Sequence, residues 1–563
     1  MSFPRGEILL GRPRRFPPPS PIQPISHSLL PDAMVSPETK RACDRCRSRK
    51  IKCDSAKPCS YCQLISSDCT YDLPQRRRGP KGPRTKAIRH AVHSIPSPGS
   101  DDTQSSPRPP TSDSITPDLT VFGFDELKRI HGGLMTRFRN EVLSVTIKEA
   151  VDRCISLYYE RSFATLPICH EPTLRSDAVY FFSDNVTSRD PNCEAAGDTI
   201  TRLRSFTLLT ALCATMSFLH GQFMTPFAPV AGPLFLQAAR DTLRIYEEHD
   251  LLHPDSSSMR IRMLLANCLQ QYAGENGLSW HTVGQASLIA RTLRLYSERE
   301  LARDDPLEST LLRCTFWMLY MSDCAAICMR NRAVILHEPL LGSDMDLGEF
   351  GPNQVPLMDP LQPHCRNRFE KSILEGFHLL VRNWSLAARL MLAIRSYGRL
   401  ATAQTSDDSL IRRAEEVKAA QAYVAFVSVL DTMPTWLQAP NNFVSGDDAA
   451  ARHQRSCYMS QRYRLLSGHY CARLLAVHEC RSVGLTAAIG LHDNDATIAV
   501  EQLNIARDFI YNLQSVPFDY LQTNGETGVS LCQLGHLPNS EEAIIIIGRH
   551  TGRVDARRRE RPT

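Results

Sequence analysis

From about residue 145 to 480 the apolar positions recur at three- and four-residue intervals, with few of the strict alternations that mark strands. Segments 151–163 (VDRCISLYYERSF), 201–222 (TRLRSFTLLTALCATMSFLHGQ) and 412–433 (RRAEEVKAAQAYVAFVSVLDTM) carry this period most clearly. An all-α domain over 120–480 is therefore expected, and residues 494–515 read as a further amphipathic helix within a C-terminal segment, 481–563. The four consecutive isoleucines near 544–547 fit neither a helical repeat nor an acidic segment.

The first 120 residues read differently. Residues 1–39 are rich in proline and serine and are expected to be disordered, as is the Pro/Ser-rich stretch 91–118. Together with the basic run before it, that stretch makes a linker over 73–119. Leu127, Ile130 and Leu134 keep heptad spacing, but Gly132 and Gly133 interrupt it and Arg137 stands where the next apolar residue would fall, so no zipper is assigned.

The formal charge of +5 conceals an asymmetry: residues 40–90 hold 15 Lys/Arg against 4 Asp/Glu, and the rest of the chain sums to minus six. Polyanion binding is thus confined to the front. No run of 18 apolar residues occurs, so no membrane span is expected.

Within the basic region a cysteine unit, C-x2-C-x6-C, occurs twice, as Cys43, Cys46, Cys53 and as Cys59, Cys62, Cys69. Tetrahedral zinc takes four ligands, so six thiolates satisfy two ions only if two of them are shared. A three-disulfide module is disfavoured because no hydrophobic signal segment opens the chain and the other 13 cysteines are scattered singly, which fits a reducing compartment. Two symmetric triplets match no ferredoxin-type spacing. Each unit is expected to form a short helix and a strand-like return, with the metals replacing a hydrophobic core.

Over residues 41–71, RACDRCRSRKIKCDSAKPCSYCQLISSDCTY, the sequence resembles the fungal binuclear zinc-cluster transcription factors. The resemblance implies two Zn2+ ions bridged by Cys43 and Cys59, with Cys46 and Cys53 completing one tetrahedron and Cys62 and Cys69 the other. It also implies double-stranded DNA as partner, with CGG-type triplets as half-sites, and the transcription machinery and a nuclear location besides. Arg47, Arg49, Lys50 and Lys52 lie between the second and third cysteines; Lys50 is the expected base reader, with Arg49 beside it. Downstream, Arg76, Arg77, Arg78 and Lys81 open an extended arm suited to phosphates or to importin.

A second resemblance, to the regulatory middle region of the same family, rests on SWHTVGQASLIARTLRLY (Trp280, Gly284, Ala286, Ala290) and LLRCTFWMLYMSDCAAICMRNRAVIL (Arg313, Phe316, Trp317, Asp323). The layout is similar to regulators of the maltose and amylase type. Dimerisation is left open.

Catalytic motifs are lacking. Ser279 and His281, two apart on a helix, point to different faces and cannot pair as nucleophile and base. His220, His281, His337 and His364 stand alone in the sequence. Asp323 reads as a structural group paired with an arginine such as Arg330. Met263, Phe316, Trp317, Met318 and Met321 read as core, with an internal pocket as the alternative.

The expectation is a regulator of a metabolic pathway, a secondary-metabolite gene cluster or else carbon-source catabolism. The readings from other classes are a zinc-dependent protein-interaction module and a DNA-targeted enzyme.

Overall fold

The computed structural model describes residues 42–48, 53–64, 68–71 and, apart from 184–195, 274–275, 302, 304, 342–353, 366–367 and 403–408, residues 119–514. The chain divides into two units, within Met1–Thr111 and Ser112–Thr563. The disorder expected of 1–39, most of the 73–119 linker and the isoleucine-rich tail lie outside the described residues.

In the first unit, helices α1 (Asp44–Ser48) and α2 (Ser60–Leu64) each carry the second cysteine of a triplet. Residues 53–58 and 68–71 are irregular and no strand occurs among the described residues, while most of each return expected to be strand-like, 49–52 and 65–67, lies outside them.

The second unit is all-α. Its longer helices are α3 (Leu119–Glu141), α4 (Ile147–Leu157), α5 (Glu171–Phe182), α6 (Ala196–Leu219), α7 (Ala228–Leu252), α8 (Ser256–Ala273) and α9 (Asn276–Thr292). After the short α10 (Glu298–Leu301) come α11 (Pro306–Met329) and the short α12 (Glu338–Leu341). Then follow α13 (Phe369–Thr402), α14 (Ser409–Val427), two four-residue turns α15 (Thr435–Gln438) and α16 (Pro440–Phe443), α17 (Ala449–Val483) and α18 (Asp495–Gln514). Helices α6, α7 and α8 pack together, α9 lies on α8, and α13 joins α11, α14 and α17. One core runs from Leu127 in α3 to Ile505 in α18. Helix α17 passes through position 480, and α18, whose Ile498 and Ile505 are buried, packs on it.

Local chemistry sets the helix ends. Thr146 and Glu149 form a reciprocal capping box at α4. Asp305 accepts from the Leu307 amide at 2.9 Å, with Pro306 at the first helical position of α11. Asp448 caps α17 through the Ala451 amide at 2.7 Å, and Gly484 closes it in the left-handed region at φ 69°.

Helix α3 settles the heptad question. It buries Leu127, Ile130, Leu134 and Phe138 against α6 and α7, a spacing of three, four and four that follows the 3.6-residue period of a straight core helix. Gly132 and Gly133 fall on its exposed side, and Arg137 pairs outward with Glu141 at 3.0 Å. The apolar stripe is therefore consumed inside the domain.

Helix α11 is long and apolar enough to cross a membrane by length and composition, with mean hydropathy 1.2 over its best window, yet 72% of that window is buried within the fold. It is a core helix of the domain, packed mainly on α13. Phe316, Trp317 and Tyr320 form an aromatic cluster on it, and Met263, Met318 and Met321 pack into the same core, as the core reading expects.

Candidate metal centre and nucleic-acid interface

The six cysteine sulfurs gather into two overlapping groups, Cys43, Cys46, Cys53, Cys59 and Cys43, Cys59, Cys62, Cys69, each lying within 4.8 Å of one another. Cys43 and Cys59 belong to both. Their Sγ atoms are 3.7 Å apart, as are Cys43 and Cys62, and Cys46 and Cys59. A tetrahedral zinc with bonds of about 2.3 Å spaces its sulfurs by about 3.8 Å, so these separations fit the ion without rearrangement. Soft thiolates with no carboxylate among them further favour zinc.

The two halves repeat with an offset of 16 residues, and the hydrogen bonds repeat with them. Cys43 accepts from the Cys46 amide at 3.4 Å and Cys59 from the Cys62 amide at 3.5 Å. The Cys43 amide donates to Cys53 Sγ at 3.5 Å, and the Cys59 amide to Cys69 Sγ at 3.3 Å. Such N–H donors favour the thiolate, and those of Cys43 and Ser55 hold the Cys53 thiol down to about 7. Burial instead pushes Cys62 up to about 12 and Cys46 higher still. Those thiols ionise when metal displaces their protons, so acid competes with the metal.

A further pair of contacts joins the halves, and sequence reasoning missed it. Asp44 at the start of α1 donates its amide to the Thr70 carbonyl at 2.8 Å, and its carboxylate accepts from Thr70 Oγ1 at 3.4 Å. The positions related by the same offset are Ser60 and Asp54: Asp54 accepts from both the amide and the hydroxyl of Ser60 at the start of α2. The acid thus sits on the helix in one half and on the return in the other. The 16-residue offset was the signal that would have found the pair. Tyr71 donates its hydroxyl to the Ala56 carbonyl at 2.9 Å, and Lys57 Nζ lies 5.2 Å from its ring centroid.

Arg47 lies on α1, beside Cys46. Arg49, Lys50, Lys52, Arg76, Arg77, Arg78 and Lys81 lie outside the described residues.

In the helical unit the enzyme candidates disperse. Ser279 is buried and donates to the Ala266 carbonyl at 2.9 Å, whereas His281 is exposed. His364 is not isolated: its ring stacks on His453 at 3.8 Å, a partner 89 positions away that the sequence could not suggest. Asp323 is a buried structural group, as expected, but its arginine is Arg332 at 2.6 Å. Arg330 reaches Glu479 instead. The Asp323 carboxylate also accepts the Ile335 and Leu336 amides at 2.8 and 2.7 Å, tying the chain after α11 back onto the helix.

Residues 41–78 match the fungal Zn(2)-Cys(6) binuclear cluster domain, so the paired sulfur groups are a two-zinc centre. Among curated proteins, the chain is 41% identical over 146 residues to the maltose fermentation regulatory protein MAL13 of Saccharomyces cerevisiae, covering 26% of this chain and 24% of that one. It is 40% identical over 58 residues to the abscisic acid cluster transcription factor abl7 of Leptosphaeria maculans, 10% of each chain. With the terrein cluster-specific transcription factor terR of Aspergillus terreus it shares 44% identity over 46 residues, 8% of this chain and 7% of that one. The chain thus spans about a quarter or less of these relatives' length. They are fungal transcriptional regulators and not enzymes, in line with the lack of a catalytic constellation in the sequence.

Proposed function

We propose that this protein is a nuclear, sequence-specific regulator of RNA polymerase II transcription that grips DNA through its two-zinc cluster and is controlled through the helical unit. The observation that carries the reading is the pair of four-sulfur groups sharing Cys43 and Cys59, a metal core whose second and third cysteines flank in sequence the cationic run Arg47, Arg49, Lys50 and Lys52. Six thiolates and two Zn2+ leave the core with a net charge of minus two. The eight Lys/Arg between 40 and 72 exceed what the four acids and the cluster require, a surplus suited to a polyanion.

In this reading Lys50 donates to guanine in a CGG-type triplet, with Arg49 beside it. Arg76, Arg77, Arg78 and Lys81 add sequence-independent phosphate affinity. Residues 263–345 belong to the regulatory region, which addresses the transcription machinery. The heptad positions of α3 are buried in the helical unit, so a homodimer would pair through another surface.

For the pathway we propose a secondary-metabolite gene cluster, supported by the likeness to the abscisic acid and terrein cluster factors. Control of sugar catabolism is the second reading, favoured by the longer match to a maltose regulator. Genome-wide mapping of occupied sites tests both: enrichment of CGG-containing promoters beside one set of pathway genes is expected. Occupancy without any common motif would overturn the sequence-specific reading.

A further inference from the structure

Helix α17 is buried along most of its middle, from Ser456 to Ala472, but Arg464 in that stretch is only half-buried. Its guanidinium makes no hydrogen bond or ion pair among the described residues, and its Nε is sealed from solvent without a partner. Several embedded arginines of this unit have an acid partner, Arg262 with Asp250 at 2.5 Å, Arg332 with Asp323, and Arg395 with Glu479 at 2.6 Å, whereas Arg260 reaches only the Ile168 carbonyl at 3.3 Å. Drawing a guanidinium part-way into a domain without a counter-charge carries a desolvation cost, and burial depresses the pKa of Arg464.

Its surroundings add a second unmet polar atom. The same side of α17 is stitched to the segment after α4: Cys457 Sγ contacts the Tyr159 carbonyl at 3.5 Å, and Gln461 Nε2 donates to the Ala164 carbonyl at 2.6 Å. Arg464 is one turn beyond Gln461 and seven residues beyond Cys457, on the same face. The stitched segment includes a π-helical turn, Tyr158–Ser162, of the kind often found at functional sites. That turn carries Arg161, whose guanidinium lies 3.8 Å from the Phe223 ring centroid. Next to Arg161, Ser162 Oγ lies 2.8 Å from His220 Nε2, while the other ring nitrogen of His220, Nδ1, is buried without a partner. Burial and then the charges of Arg161 and Arg464 hold His220 down to about 3, so its ring is neutral, and in the tautomer in which the Ser162 hydroxyl donates to Nε2 it presents an Nδ1–H. The neighbouring acid, Glu160, is turned to Arg153 at 3.5 Å.

We infer that Arg464, Arg161 and His220 form a binding site for a small organic anion, a carboxylate or a phosphate ester, taken up between α17, the π-helical turn and the end of α6. The anion would supply the negative charge that Arg464 lacks and accept from the His220 Nδ1–H, bonds of the charge-assisted kind. The use of such an anion as a regulatory signal rests on the proposed function; the binding does not.

Calorimetric titration of the full zinc-loaded chain at fixed ionic strength, with inorganic phosphate, succinate and glucose 6-phosphate and with glucose as neutral control, tests the site. Saturable binding of at least one anion, and none of glucose, is expected. The three probes distinguish inorganic phosphate, carboxylate and phosphate ester. Arg464→Gln should weaken that binding at least about tenfold, as expected for loss of a charge-assisted contact, while raising the melting temperature of the anion-free protein. Arg412→Gln, at an exposed arginine on α14, should leave the affinity unchanged. Absence of binding by all three anions, equal affinity in Arg464→Gln, or equal weakening in Arg412→Gln would each overturn the assignment. Because no DNA is present, failure here leaves the transcriptional reading standing, and loss of DNA recognition elsewhere leaves the anion site standing.

Discussion

Cys43 and Cys59 stand 16 positions apart in sequence and 3.7 Å apart at their sulfurs, and they are the two cysteines common to both four-sulfur groups. Each also closes a hydrogen bond to the cysteine three residues later, so one geometry is written twice and joined at its first members.

This sharing makes the cysteines unequal. Replacing Cys43 or Cys59 with serine removes a ligand from both groups and should drive the zinc content from two per chain towards zero. Cys69→Ser removes one ligand from one group and should retain about one ion, the coordination of the other group remaining complete. Plasma emission analysis of purified full-length variants provides the count, and equal losses for Cys59→Ser and Cys69→Ser would contradict the shared-ligand arrangement.

In the helical unit, Asp323 neutralises Arg332 and holds two backbone amides, all in the interior. Asp323→Ala leaves a guanidinium and two amides unmet and should cost about 3–5 kcal/mol. Arg330→Ala, at a mostly exposed arginine paired with Glu479, should cost less than about 1 kcal/mol. Urea unfolding of the two variants followed by helical circular dichroism separates them.

Stability should also fall in mild acid. Burial holds the imidazoles of His220 and His469 down to about 3, against 6.5 for a free histidine. Their contribution is full above pH 6.5 and is lost as pH falls towards 3, because the unfolded chain takes up protons that the folded one refuses. At pH 5 each costs about 2 kcal/mol. Glu370 works the other way: burial raises it to about 7 from 4.5, so its contribution is full below pH 4.5 and is lost as pH rises through 7, and it offsets part of the loss. The histidines outweigh it, since burial also lowers His453 to about 3 and His378 to about 4. The urea midpoint should decline from pH 7 to pH 5, and His469→Gln should reduce that decline.

The arm after the cluster should govern salt dependence without governing sequence choice. Changing Arg76, Arg77 and Arg78 to alanine should weaken specific and non-specific DNA alike and reduce the slope of log affinity against log salt by roughly 0.9 for each phosphate that is no longer neutralised. Fluorescence anisotropy across a salt series measures it.

The cluster was legible because its chemistry is local: the ligands of each half lie within ten residues, and counting them against tetrahedral coordination already required two to be shared. The helical class followed from periodicity for the same reason. What escaped were contacts between distant segments. His453 as the partner of His364, and Arg332 in place of Arg330 beside Asp323, depend on how α17 meets the segment before α13 and on where the chain turns after α11. The Asp54–Ser60 contact was within reach, since the repeat offset pairs it with Thr70–Asp44, but the acid and hydroxyl change places between halves and hide the symmetry from a search for identical residues.

The central claim is that a two-zinc cluster reads DNA sequence through Lys50. The direct measurement is the affinity of the full chain for a CGG-containing duplex and for a scrambled duplex, with zinc, with chelator, and as Lys50→Ala. Zinc-loaded wild-type protein should prefer the CGG duplex, chelation should abolish the preference, and Lys50→Ala should lose about 1–3 kcal/mol of discrimination while retaining non-specific binding. Equal affinity of the zinc-loaded wild type for both duplexes, with Lys50→Ala unchanged from it, would contradict the account.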